Sequence, residues 1–174
     1  MNLINNAKQI YLATFSMAND YEVNNDPKLG WPGDLAISPV EPADTLEKYI
    51  ARLTLYDYIR PPDIPKLFGA PGLPPYSGSG PFRSESSAFK IYRVRDPDVP
   101  ACLFLATRNY TFRKGLDAQA KPYGTRGGCV VRKGGEAIPF YSNADSLKIR
   151  GCMPGHFDPD RDPGEETSES FLAM

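Results

Sequence analysis

Asn5-Asn6-Ala7-Lys8-Gln9-Ile10-Tyr11-Leu12-Ala13 reads as the middle of a helix, and the fold follows from that reading. Apolar groups recur at Leu3, Ala7, Ile10, Thr14 (through its methyl), Met17 and Tyr21. Their alternating steps of four and three residues place them on one helix face. Asn19-Asp20, and then Asn24-Asn25-Asp26-Pro27, supply turn and cap residues, so the expected helix spans 3–20. No proline or turn cluster precedes Leu3. The segment is therefore expected to continue a longer helix that lies upstream.

Three pieces of this region carry a resemblance: Asn5-Asn6-Ala7-Lys8-Gln9-Ile10, Phe15-Ser16-Met17-Ala18-Asn19-Asp20, and Gly30-Trp31-Pro32-Gly33-Asp34. Together they resemble the prepilin-like proteins of bacterial type II secretion and type IV pili. The match is specific through Asp34 and only architectural beyond it. It implies a pilin-like fold, an inner-membrane anchor and assembly into a filament. The family's processing motif and the apolar half of its helix, which needs roughly 20 apolar residues to cross a bilayer, are not in this sequence. The chain is accordingly expected to be the globular part of a longer precursor.

Composition suits one folded unit. A length of 174 residues can bury a real core. Twenty basic and 21 acidic residues give a net charge of −1, without the clustered basic face that nucleic acid requires. No transmembrane segment, signal peptide or lipidation motif is legible. Eighteen prolines and 15 glycines forecast long loops, whereas ten tyrosines and nine phenylalanines argue for a packed body.

Behind a Pro/Gly connector at 27–43, a second helix is expected over 45–58. Asp44 or Thr45 starts it, Glu47 suits a capping box, Leu46, Ile50 and Leu53 share a face, and Pro61-Pro62 ends it. Residues 60–87 form a long Pro/Gly/Ser-rich loop whose Leu67, Phe68, Leu73, Tyr76 and Phe82 suggest packing against the body. The sheet is expected over 88–150. Phe89–Val94 and Ala101–Thr107 form two strands. Cys129–Lys133 and Ala137–Tyr141 form a hairpin around the two-residue loop Gly134-Gly135, and Lys148–Arg150 adds a short strand. The sum is an α+β fold of residues 1–152, with a long helix on an antiparallel sheet of about four strands. An acidic tail follows at 153–174. The stripe through Leu3, Ala7, Ile10 and Met17 is expected to face the sheet.

Residues that could carry chemistry are few. The single histidine, His156, lacks an evident partner, and Ser79 in Gly78-Ser79-Gly80 lacks the G-x-S-x-G setting of a nucleophile elbow. No P-loop, dinucleotide fingerprint, H-E-x-x-H or C-x-x-C is present, so an enzyme is not expected. Of the three cysteines, Cys102 reads as a buried thiol in an apolar strand. Cys129 and Cys152 read as the disulfide pair that fastens the tail, and the spacings do not suit zinc. Asp158, Asp160, Asp162 and Glu169 approach the spacing of a calcium loop, and the resemblance adds that major pseudopilins hold calcium near the C-terminus. Pro163 stands where such a loop turns on glycine, so a solvated acidic tail is the favoured reading and no cofactor is expected.

The leading functional expectation, implied by the resemblance, is a structural subunit in the bacterial cell envelope. Its globular domain would be periplasmic or extracellular, and its partners would be other pilin-like subunits and secretion machinery. Such a domain should be monomeric when isolated, and it touches the membrane only through the upstream helix. Trp31 and the loops 60–87 and 108–127 are possible contact surfaces, although a core plug is the favoured reading of Trp31. The alternative is an extracytoplasmic glycan- or peptide-binding module on the same scaffold. A pocket near Tyr76, Tyr110 or Tyr123 would favour it.

Overall fold

A computed structural model describes residues 3–153. Its first element, helix α1 (Leu3–Asn24), runs one turn beyond the expected end. Asn25 stops it by turning left-handed at φ 53° and donating its amide to the Tyr21 carbonyl. The face expected from the periodicity is the buried one: Ala7, Ile10, Thr14 and Met17 are fully covered. Tyr11, Ala13 and Ala18 widen it.

After a one-turn helix α2 (Pro32–Ala36), helix α3 covers Leu46–Leu55 and is shorter than expected at both ends. Thr45 is its N-cap, and its side chain accepts from the Lys48 amide. No capping box forms. The Glu47 carboxylate instead accepts from the Ser84 amide across the fold. Pro61-Pro62 does not end this helix. Asp57, left-handed at φ 59°, does so, and the prolines open a 3-10 turn (Pro61–Asp63) into α4 (Ile64–Phe68).

Four strands form an antiparallel sheet in the order β1 (Phe89–Ile91), β2 (Leu103–Thr107), β5 (Gly128–Arg132), β6 (Ala137–Phe140). The chain between β2 and β5 makes its own small ribbon, β3 (Tyr110–Thr111) with β4 (Gly115–Leu116). The loop from β5 to β6 is one residue longer than expected. Lys133, Gly134 and Gly135 all lie between Arg132 and Glu136, whose backbones bond, and only Gly135 is left-handed, at φ 87°. A type I turn closed by a left-handed glycine accounts for this three-residue loop. Residues 148–150 add no strand. Ser142 caps a short helix α5 (Asn143–Ser146), and its turn carries Ile149 back into the core.

The sheet separates two apolar layers. Phe89, Ile91, Phe104, Leu105, Cys129 and Val131 pack with α1 and α3. Tyr92, Leu103, Ala106, Tyr110, Val130 and Phe140 pack on the opposite side with Ile149 and Met153. The result is α+β, a helix laid on one face of a four-stranded antiparallel sheet.

Candidate functional site

The Trp31-Pro32-Gly33-Asp34 turn is a fastening between the helical layer and the sheet. Trp31 is 6% exposed, and its ring meets those of Phe15 and Phe104, while Tyr11 stacks on Phe15 and meets Phe104 edge-on. The Lys133 ammonium lies 5.2 Å from the Trp31 ring centroid and donates to the carbonyls of Asp96 and Asp98. A cation held over an aromatic face in this way is attracted by the ring quadrupole. Pro32 begins α2 at its first position, where no amide donor is needed. The Gly33 amide donates to the Val94 carbonyl at 2.8 Å. Asp34 accepts from the Arg95 guanidinium at 3.2 Å and from the Asp96 amide at 2.8 Å. Trp31 is therefore a core residue, which removes it from the possible contact surfaces.

The other face of α1 is uncovered. Leu12, Phe15 and Val23 are 58%, 40% and 80% exposed, and no charged residue occurs between Lys8 and Asp20. Leu12 and Phe15 are one turn apart, so they present one continuous apolar step to solvent. Periodicity marked the buried stripe and passed over this outward pair.

Two recesses flank the first turns of α1. One, of about 490 Å³, is walled by Leu3 and Ile4 of the helix, by Pro122, Tyr123 and Arg126 of the loop before β5, and by Tyr141 just after β6. Leu3 is half-buried there, and Tyr141 is 78% exposed. Burial pushes the Tyr123 phenol up to about 12, helped by the nearby Cys129 thiol. The second recess, of about 630 Å³, is polar, and its lining includes Asn6, Gln9, Tyr58, Arg60, Asp63 and Lys66. Asp63 pairs with Arg60 at 2.9 Å and with Lys66 at 3.9 Å. Burial, and the Asp20 carboxylate that accepts its proton, hold the Tyr58 phenol above its ordinary value.

Of the three tyrosines expected to mark a pocket, Tyr123 lines the apolar recess and Tyr76 a cleft of about 320 Å³ beside Phe82. Tyr110 is fully buried. Ser79 is exposed and faces only the Ser77 hydroxyl at 2.9 Å. His156 and the calcium candidates Asp158, Asp160, Asp162 and Glu169 lie outside the described residues.

The disulfide differs from the expectation. Cys102, not Cys129, joins Cys152, with α-carbons 4.4 Å apart. The reason is the path of the chain: the Leu103 amide donates to the Cys152 carbonyl at 2.9 Å, which brings the segment after α5 against the start of β2. Cys129 is the buried free thiol, the second residue of β5. Burial pushes it up to about 12.

No protein family, curated protein or solved structure matches this chain. Among the described residues, no helix is long and apolar enough to cross a membrane, and no group of three or more His, Cys, Asp and Glu side chains is placed to hold a metal ion.

Proposed function

We propose that this chain is the globular part of a pilin-like structural subunit that works by assembling with copies of itself or close relatives in the bacterial envelope. The observation that carries the reading is the two-sidedness of α1. One face is sealed onto an antiparallel sheet, and the other, polar through Asn5, Lys8, Gln9, Ser16 and Asn19, is broken by Leu12 and the outer edge of Phe15, one turn apart. A helix used only as a lid has no need of an apolar step on its polar face. The Cys102–Cys152 bond adds support, since such bonds persist in oxidising compartments such as the periplasm and the cell surface. Subunits of this kind meet through unlike surfaces, so the contact propagates and does not close into a dimer.

The test is a photo-crosslinking residue in place of Leu12, in the protein expressed from its complete coding sequence. The expected product is a ladder of adducts at multiples of the subunit mass in the membrane fraction. A single dimer band, or none, overturns the reading. The isolated domain should sediment as a monomer.

A second reading, a glycan- or peptide-binding module, is favoured by the recess at Tyr123. That lining is mainly apolar, with Arg126 as its one charged side chain, whereas a sugar site sets several polar groups around an aromatic face.

A further inference from the structure

We propose that the end of the molecule at the first turns of α1 rests on the headgroup layer of an anionic lipid bilayer, with the recess at Tyr123 as the contact. The proposal rests on the subunit reading above and adds a partner to it. Three observations meet at this end. The recess combines apolar walls (Leu3, Ile4, Pro122) with two tyrosines, one of which, Tyr141, projects into solvent. Tyrosine, with an apolar ring and a polar tip, is the side chain enriched where hydrocarbon meets water. The only charged residue in that lining is the cation Arg126, and no carboxylate shares it.

Several cations are exposed around it. Lys121 is exposed next to the wall residue Pro122, and Lys8 is exposed on the second turn of α1. Lys66 is exposed beside the first turn, where its carbonyl accepts from Asn6. Asp57 and Asp63 share the polar recess with Lys66, and Asp63 is already paired with two cations. The acids of α1 stand at its other end, Asp20 and Glu22, about 24 Å along the axis from Ile4 at 1.5 Å per residue. Lys8, Lys66, Lys121 and Arg126 thus gather near the first turns of α1 with the exposed Tyr141, while the acids of the helix stand far along it, a placement that suits a negatively charged surface under the first turns.

The measurement is flotation of the isolated domain with vesicles of phosphatidylglycerol in phosphatidylcholine, against vesicles of phosphatidylcholine alone. Binding is expected to the anionic vesicles only, and it should weaken as salt is raised. Arg126→Gln and Lys66→Gln should each lower the partition roughly fivefold, the effect of one cation near such a surface. Tyr141→Ser should lower it as well. All three residues are exposed, so melting temperatures should not move. Lys48→Gln, on α3 and outside both recesses, should bind like the parent. Equal binding to neutral vesicles overturns the proposal, as does no binding, or a loss in Lys48→Gln equal to that in Arg126→Gln. Concentration-dependent self-association that disappears in Arg126→Gln also overturns it, by assigning this end to a second copy. None of these results touches the Leu12 crosslinking, so the two readings fail separately.

Discussion

Gly33 is pressed against the backbone of Arg93: a β-carbon on Gly33 would lie 2.2 Å from the Arg93 carbonyl oxygen. The obstacle is main chain, held by the bond from the Gly33 amide to Val94, so it cannot swing aside as a side chain could. Gly33→Ala should therefore lower stability by about 1–3 kcal/mol, the usual range for overpacking. The urea midpoint checks this, and an unmoved midpoint would show that the turn docks less tightly than described.

Ile10 is fully covered between α1 and the sheet. Ile10→Ala should cost about 2–5 kcal/mol through lost transfer energy and the cavity left behind. Ile10→Asp adds an unpaired buried charge and should abolish cooperative unfolding. Leu12→Asp, two residues away on the exposed face, should leave the melting temperature nearly unchanged while removing the ladder obtained with the crosslinking residue at Phe15. Similar melting temperatures for the aspartate variants at 10 and 12 would contradict the two-sided helix.

Cys102 and Cys152 are 50 residues apart in sequence. Cross-linking a loop of that length constrains the unfolded chain by about 4 kcal/mol in the entropic account, and measured losses commonly run 2–4. The double variant Cys102→Ala/Cys152→Ala should fall in that range in denaturant unfolding. Peptide mapping without reductant should recover those two cysteines linked and Cys129 free. A Cys129–Cys152 peptide would reverse the assignment.

Cys129 supplies a pH prediction. An unfolded thiol titrates near 8.5, and burial raises this one to about 12. Its contribution to stability is fully present below about pH 8.5. It is lost as pH climbs toward 12, because only the unfolded chain can ionise there. Tyr123 shifts in the same direction and steepens the alkaline loss. At pH 8 the native protein should resist iodoacetamide for hours and take up one label after unfolding. Rapid labelling of the native state would mean that β5 opens.

Much of the fold was legible because α1 has a strict alternation and because strand-forming residues cluster after Phe89. The hairpin's position was legible from Gly134-Gly135, yet its loop length was not. Two adjacent glycines fit either a two-residue turn or a three-residue turn with one left-handed residue, and the choice depends on how Arg132 and Glu136 pair. The end of α3 was misplaced because Pro61-Pro62 is the louder signal, whereas a single left-handed Asp57 ends the helix earlier. The cysteine pairing depended on where the chain runs after α5, a tertiary fact with no local mark. The recess at Tyr123 is assembled from four separate segments, so nothing in any one of them announces it. Tyr123 drew notice only as an aromatic, Tyr141 only as the end of a strand, and Arg126 only as part of the loop 108–127.

The covalent ring between Cys102 and Cys152 also bears on how the molecule answers force. The strands β5 and β6 that seat α1 lie inside the ring, while α1 lies outside it. A tug delivered through α1 would thus reach strands that cannot be drawn out. With the bond intact, roughly 170 Å of contour, 50 residues at about 3.4 Å each, is withheld from extension. In an optical trap, adding reductant should lengthen the rupture step by about that amount. A molecule pulled by its first helix would then stretch like a short tether ending in a knot.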